Sequence, residues 1–271
     1  MLSVTTDYAT DRGCPEPALR RIAEHGFTHV HWCHQWNTDF LYTEPEVAQI
    51  ARWMRELGLG LTDLHASDGV EKKWTSPREY ERQAGVELVR NRIEMTARLG
   101  GDVAIMHLGS VPSEPDAGAR FWDQLWRSLD ELEPVLRAAG VRLAIENGVF
   151  AHIRRVFARY GPDLVGLCYD CGHGNLSGDG LDEAEALAER LISLHLHDND
   201  GQRDLHKPLF TGTVDWPRLA RIIARSAYDK WVSMETTMAN AGFADESAFL
   251  RTVHEAGTRF AAMIEEAQHS G

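Results

Sequence analysis

Short apolar segments alternate with longer amphipathic segments from one end of this chain to the other. The apolar segments span residues 2–6, 29–33, 60–65, 103–108, 142–147, 165–170, 192–197 and 231–236. Amphipathic segments of helical period lie between them and include residues 44–57, 77–99, 121–139 and 216–226. Parallel strands need a long crossover, usually a helix, so the alternation predicts repeated βα units on a parallel sheet. Eight repeats favour a closed (β/α)8 barrel.

Length and continuity favour one domain. The chain has 271 residues, which is the usual size of one α/β barrel, and no linker rich in Pro, Gly or Ser divides it. We therefore expect residues 1–271 to form a single TIM-barrel domain, with Asp215 as the N-cap of the helix over 216–226. A doubly wound open sheet is the alternative, but no GxGxxG motif follows the first apolar segment.

The charge balance and the apolar pattern exclude several classes of protein. The chain has 28 Lys+Arg against 41 Asp+Glu, a formal net charge of −13. A field of this sign repels phosphate backbones, so we expect no nucleic-acid partner. No stretch approaches the roughly 18 apolar residues of a membrane span, and the N-terminus lacks a basic region followed by an apolar run. We therefore expect a cytoplasmic protein without a membrane partner.

The cysteines predict neither a disulfide framework nor a cysteine metal site. There are four, at positions 14, 33, 168 and 171, too few and too scattered for a framework in a chain of this size. Cys168 and Cys171 form a CxxC motif, but no second CxxC accompanies it.

Potential metal ligands occupy the ends of six successive strand segments, the third to the eighth. They are His65, His107, Glu146, Asp170 (followed by His173), His195 and Glu235. Active sites of α/β barrels lie at the C-terminal ends of the strands, where these side chains would converge. Buried carboxylates there would repel one another, and a divalent cation relieves that repulsion. The sequence thus predicts a divalent metal site (Mn, Mg, Co or Zn) at the barrel mouth.

The densest group of such residues lies at 192–206. Alternation along a strand places His195 and His197 on one face. Asp204 and His206 repeat the two-residue spacing in the loop that follows. A solvated acidic loop after an ordinary strand is the alternative interpretation of this segment.

Five motifs follow one another along the chain in an order that is typical of one superfamily. They are residues 143–147 around Glu146, 169–173 with Asp170 and His173, 194–199 with His195, 204–216 with Asp204, His206 and Asp215, and 233–235 ending at Glu235. In this order and spacing the chain resembles the xylose isomerase-like TIM barrel superfamily, in its sugar phosphate isomerase/epimerase branch. Endonuclease IV is a more distant relative. The resemblance covers nearly the whole chain and says much less about the substrate.

The resemblance implies a metal held by Glu146, Asp170, His195 and Glu235. The two glutamates are then also the acid/base pair, and His173 contacts substrate. The implied activity is a metal-dependent sugar (or sugar-phosphate) isomerase or epimerase that transfers a proton beside a carbonyl through a metal-stabilised enediolate. A lyase or dehydratase acting on a keto-sugar would use the same chemistry. His197 is expected to lie outside the immediate ligand shell.

Further substrate contacts are expected from the strand ends and from the loops above the barrel mouth. They are His65, His107, Trp36, Trp74 and Arg203. Aromatic rings commonly cover the apolar faces of sugars, and an arginine suits a phosphate or carboxylate. The alternatives are packing roles for the tryptophans and a solvated position for Arg203.

Two other functions remain open from the sequence. Endonuclease IV uses a trinuclear zinc cluster, and its ligand positions are all matched here, which adds His65, His107, His173, Asp204 and His206 as additional ligands. A zinc phosphoesterase is therefore the first alternative, although the acidity of the chain opposes DNA binding. A non-catalytic sugar-binding barrel with a structural metal is the second. The sequence leaves open the sugar, its phosphorylation, the number of metal ions and the oligomeric state, including a homo-oligomer.

Overall fold

The computed structural model describes residues 1–10 and 12–269. The strands are β1 (Leu2–Thr5), β2 (His29–Trp32), β3 (Gly60–His65), β4 (Val103–Met106), β5 (Arg142–Glu146), β6 (Val165–Asp170), β7 (Leu191–His195) and β8 (Val232–Met234). The helices are α1 (Glu16–Glu24), α2 (Glu44–Leu57), α3 (Glu79–Arg98), α4 (Pro115–Ala139), α5 (Phe150–Phe157), α6 (Cys171–Ser177), α7 (Gly180–Ala186), α8 (Trp216–Ala224) and α9 (Glu246–His269). A short 3₁₀ turn, Ala188–Arg190, precedes β7.

All eight strands are parallel, and each is paired with its neighbour in sequence. β1 also pairs with β8. The ring is closed beyond the end of β7, where the Leu196 N–H donates to the Ser233 carbonyl (3.0 Å) and the Glu235 N–H donates to the Leu196 carbonyl (3.0 Å). The predicted (β/α)8 TIM barrel is confirmed.

Several element ends differ from the sequence prediction. The strands β4 and β8 stop at Met106 and Met234, so His107 and Glu235 begin the loops after their strands. Helix α4 begins at Pro115, six residues before the predicted start at 121, because a proline suits the first turn of a helix, where its missing N–H costs no bond. Asp215 caps α8 as predicted and accepts a hydrogen bond from the Arg218 N–H (3.0 Å).

The barrel interior changes from apolar to polar towards its C-terminal end. The lower part is filled by a small cluster: Val103, Ile105, Ala144, Cys168 and Ile192. Above it lie buried polar side chains, and the predicted ligands occupy the top. The outer faces of the strands pack on the helices in a large continuous core. Among the helices of the described part of the chain, none has both the length and the apolar character to cross a bilayer.

Candidate metal centre at the barrel mouth

The four residues predicted to hold a metal lie together at the C-terminal end of the barrel. One ligand atom from each of Glu146, Asp170, His195 and Glu235 lies within 4.8 Å of the others. His195 Nδ1 is 3.3 Å from Glu146 Oε2, 3.1 Å from Glu235 Oε2 and 3.9 Å from Asp170 Oδ2. Their approach follows from the parallel sheet, whose strands all end at one rim.

The atoms at this centre fit a divalent cation. Glu146 Oε2 and His195 Nδ1 are buried, and neither has a hydrogen-bond partner within the described residues. A buried polar atom left without a partner costs about 1–3 kcal/mol. Three carboxylates and one imidazole nitrogen form a donor set that divalent cations bind, and such a cation would engage both unpartnered atoms.

A pair of histidines lies on the β3 and β4 side of Glu146. His65 Nε2 and His107 Nε2 are each 3.4 Å from Glu146 Oε2 and 3.2 Å from each other. His65 Nδ1 donates to the Ala66 carbonyl (2.9 Å), which turns Nε2 towards the cavity. The Trp36 ring lies against this pair, with its centroid 4.5 Å from that of His65. The structure thus places Trp36 beside the centre.

A second group comes from α6, which carries His173, and from the loop after β7. His173 Nδ1 is 3.3 Å from Glu146 Oε1, and its Nε2 is 3.4 Å from Asp204 Oδ2. His206 Nε2 lies 3.1 Å from the same Asp204 oxygen. The ring of His206 stacks on that of His197 with centroids 4.0 Å apart. The structure therefore brings all five additional candidates, His65, His107, His173, Asp204 and His206, into one connected group around Glu146.

His197 lies outside the four-residue ligand set, as the sequence suggested, and contacts one of its members. Its Nε2 donates to Asp170 Oδ2 at 3.0 Å, and its ring is fully buried. A histidine that holds a ligating carboxylate fixes the orientation of that ligand. His197 therefore orients Asp170.

Charge at the centre is balanced between carboxylates and imidazoles. Burial raises the pKa of the Glu146 carboxyl, but the charges of His107 and His195 outweigh burial and hold this pKa well below its usual value. The carboxylate of Asp170, opposed by burial, raises the pKa of His173 to about 12. Protons and a divalent cation compete for these lone pairs, so binding of a metal here would release protons.

A polar network directly below the centre was missed by the sequence analysis. His31 Nδ1 donates to Asp63 Oδ1 (2.6 Å), and the Ser193 hydroxyl donates to the other Asp63 oxygen. His31 Nε2 lies 2.8 Å from Cys33 Sγ and 3.7 Å from Glu235 Oε1. Burial lowers the pKa of His31, but the Asp63 carboxylate outweighs it and raises this pKa to about 9.

The sequence did contain a signal for this network. Residues 29–33 read His-Val-His-Trp-Cys, and Asp63 stands two residues before His65. Alternation along a strand puts His31 and Cys33 on one face, and Asp63 on the face of His65. His31 and Asp63 each stand two residues before the end of a predicted strand, one level below the strand ends.

Two predicted substrate contacts lie elsewhere. Trp74 is 2% exposed within the apolar core, and its carbonyl accepts a hydrogen bond from Ser128 of α4. Arg203 is largely exposed and pairs with Asp200 at 2.7 Å, because a flexible side chain in a loop binds the nearest carboxylate. In the structure Trp74 thus packs in the core and Arg203 forms a surface ion pair, and neither is among the described residues that line the cavity beside the centre.

A cavity of about 480 Å³ opens beside the centre. Glu146 and His107 form one wall, and the rest comes from Asp68 after β3, from the loops after β4 and β5 and from the start of α5, with Leu108, Val111 and Ile153 as apolar contributions. No Lys or Arg is among the described residues that line it. The cavity gives a small polar molecule a route to the carboxylates.

Comparison with known proteins identifies the family. The family model described as xylose isomerase-like TIM barrel matches residues 19–253. The uncharacterized protein y4fM of Sinorhizobium fredii is 31% identical over 93% of this chain and 90% of its own. Among solved structures, a D-tagatose 3-epimerase-like protein aligns with a TM-score of 0.79 at 18% identity, covering 98% of each chain. A D-psicose 3-epimerase aligns with a TM-score of 0.77 at 18% identity, covering 97% of this chain and 99% of its own. The structural matches show the shared fold, and from the family model and the relative together the chain belongs to the xylose isomerase-like TIM barrel family.

Proposed function

We propose that this protein is a divalent-metal-dependent isomerase or epimerase that moves a proton on the carbon beside the carbonyl of a sugar. The observation that carries the proposal is the convergence of Glu146 and Glu235, from different strands, to 3.3 Å and 3.1 Å from His195 Nδ1. Two carboxylates around one point can remove a proton from one face of a substrate and return it at another. Similarity in fold to proteins named as sugar epimerases supports the same assignment.

Each residue of the centre has a defined task in this reaction. Glu146, Asp170, His195 and Glu235 would hold the cation, which when bound stabilises negative charge on the oxygens beside the reacting carbon. Glu146 at the end of β5 and Glu235 after β8 approach the cavity from different strands, so each carboxylate can exchange a proton with a different face of that carbon. His107 lines the cavity, His173 lies 3.3 Å from Glu146, and both can donate hydrogen bonds to substrate oxygens.

The cavity favours a neutral sugar over a sugar phosphate. Asp68 and Glu146 both line it, and its described lining residues include no Lys or Arg. Lys73 lies nearby but pairs with Asp68 at 3.5 Å. A phosphate with a charge of about −1.5 to −2 would be placed beside carboxylates without a bidentate partner. The proposal therefore takes an unphosphorylated keto-sugar as substrate.

Wash-in of solvent deuterium tests this function. The protein would be loaded with Mn, Mg, Co or Zn and incubated in D₂O with a panel of ketoses, and label beside the carbonyl would be measured by NMR. We expect exchange for at least one ketose, and Glu146→Gln or Glu235→Gln should slow it by about 100- to 10,000-fold, the usual loss for a general base. Glu133→Gln, on the outer surface of α4, should exchange like the wild type.

A zinc phosphoesterase is the second candidate, because one specific observation favours it. All nine positions that match the endonuclease ligand set belong to one connected cluster of side chains at the barrel mouth. Three zinc ions per chain, cleavage of an abasic-site oligonucleotide and no exchange with any ketose would replace the sugar enzyme with the nuclease. Sugar binding without exchange or cleavage would instead indicate a non-catalytic barrel with a structural metal.

A further inference from the structure

The floor of the metal centre is polar where barrels of this kind are normally filled with apolar side chains. His31, Asp63 and Ser193 are each fully buried in the interior. Barrel interiors are usually packed with branched aliphatic residues, and burying polar groups costs free energy unless they are hydrogen-bonded. Such a network is expected to serve the groups directly above it.

The hydrogen bonds of this network hold the His31 ring in place. His31 Nδ1 is bonded to Asp63, and its Nε2 faces Cys33 Sγ at 2.8 Å. Neither ring nitrogen of His31 is among the buried atoms without a partner, in contrast to His195 Nδ1 at the centre above. The His31, Asp63 and Ser193 side chains therefore satisfy one another, whereas Glu146 Oε2 and both ring nitrogens of His195 have no partner among the described residues.

The network ends on one oxygen of Glu235. His31 Nε2 lies 3.7 Å and Cys33 Sγ lies 3.7 Å from Glu235 Oε1, while Glu235 Oε2 lies 3.1 Å from His195 Nδ1. One carboxylate oxygen is thus turned to the network and the other to the centre. Rotation of this carboxylate would exchange the two oxygens.

We infer that His31, held by Asp63, is a positioning residue that sets the orientation of the Glu235 carboxylate. Partners that orient a ligating or catalytic side chain are commonly worth about 10- to 100-fold in metal affinity or activity. Ser193 fixes Asp63 from β7, and Asp63 fixes His31 from β3, so three strands define the position of the ring. This inference rests on the proposed function only in taking Glu235 as a ligand and acid/base group.

The two amide analogues of histidine separate the contacts of His31. Asn places its amide nitrogen near the position of Nδ1, so His31→Asn keeps a donor to Asp63 and loses the group that faces Glu235. Gln reaches the position of Nε2, so His31→Gln keeps a donor towards Glu235. We expect His31→Asn to lower ketose exchange by about 10- to 100-fold and His31→Gln to retain most of it. The ketose exchange of Asp63→Asn should lie between those of the two His31 variants, because this substitution removes the charge that fixes the His31 ring.

The visible spectrum of the Co²⁺-loaded protein provides a readout that does not depend on activity. A reoriented Glu235 changes the ligand field, so the Co²⁺ bands should shift in His31→Asn and stay near those of the wild type in His31→Gln. Thermal unfolding would show whether each variant is folded. His29→Gln, two residues earlier on β2 and in contact with the Trp231 ring (centroids 4.8 Å apart), should match the wild type in spectrum and exchange.

The outcomes separate this inference from the function it builds on. A Co²⁺ spectrum that is the same in wild type, His31→Asn and His31→Gln would overturn the positioning role, as would equal exchange per bound metal in all three. A lower melting temperature with an unchanged spectrum would show a structural role only and would also overturn it. If the wild type exchanges no ketose, the sugar function fails, while the spectral difference still tests the contact between His31 and Glu235.

Discussion

At the scale of single residues, the orientation of each imidazole decides its role. His65 and His206 both give their Nδ1 proton to a main-chain carbonyl, of Ala66 and Glu235, which leaves Nε2 for the cavity. His31 gives the same proton to a carboxylate, Asp63, and points Nε2 at Glu235 and Cys33. A metal-binding histidine commonly has its other nitrogen held in this way. The surroundings of each ring therefore separate candidate ligands from residues that orient them.

His29 leads to a prediction about stability and pH. It lies at the start of β2, and burial, with a smaller effect of the N-terminal amino group, lowers its pKa below the usual value near 6.5. The unfolded state then binds more protons than the folded state at acidic pH. His29 therefore lowers the free energy of unfolding as pH falls through about 6.5. Between about pH 7 and pH 5, the melting temperature of His29→Gln should fall less than that of the wild type. Melting temperatures that fall by the same amount in both proteins over this pH range would contradict the prediction.

At the scale of elements, the first turn of α6 is packed directly on the end of β6, the strand that carries Asp170 of the centre. Helix α6 starts immediately after Asp170, and the Asp170 side chain accepts the His173 N–H (2.7 Å). A Cβ at Gly172 would lie 1.9 Å from Cε1 of the His197 ring. Glycine is required there because the helix backbone and the ring that holds Asp170 occupy adjacent space.

The close approach at Gly172 predicts the effect of a single methyl group. Gly172→Ala should displace His197, weaken its hydrogen bond to Asp170 and lower Mn²⁺ affinity by about 10- to 100-fold, as loss of a supporting partner usually does. Isothermal titration with Mn²⁺ on the folded variant would measure this. An affinity equal to that of the wild type would show that His197 does not support Asp170.

At the scale of the whole molecule, the candidate metal centre joins strands from both halves of the chain. Its proposed ligands come from β5 to β8, the flanking histidines come from β3 and β4, and the network below ties β2 and β3 to β7. A cation bound to the folded chain and absent from the unfolded chain stabilises the entire barrel. The net charge of −13 also adds a general attraction for cations.

Removal of the metal should therefore destabilise the protein. A cation at 100 times its Kd contributes about 2.7 kcal/mol by mass action, and in a chain of this size each kcal/mol is worth about 2–4 °C in Tm. Chelator should lower Tm by several degrees, and Mn²⁺ or Zn²⁺ should restore it. His195→Gln should show little response to chelator. An equal response in that variant would place the stabilising metal elsewhere.

The sequence by itself determined the barrel and the set of residues at its mouth. Periods of two and 3.6 specify strands and helices, and parallel strands all end at one rim, so Glu146, Asp170, His195 and Glu235 were predictable as neighbours. The ends of some elements lie a few residues from their predicted positions, as at Pro115, because local capping decides where a helix begins and ends. The family resemblance was also readable from the order of the motifs, and the family match confirms it.

Only the tertiary structure decided how side chains meet across strands. His31 and Asp63 are 32 positions apart, and Ser193 and Asp63 are 130 apart, so their contact depends on strand register and barrel closure. An alternating pattern specifies the face of a strand that a residue occupies, but its height relative to distant strands follows from the closed ring. The same applies to the loops, where Trp74 enters the core and Arg203 pairs with Asp200, since loop side chains take the nearest apolar surface or charge.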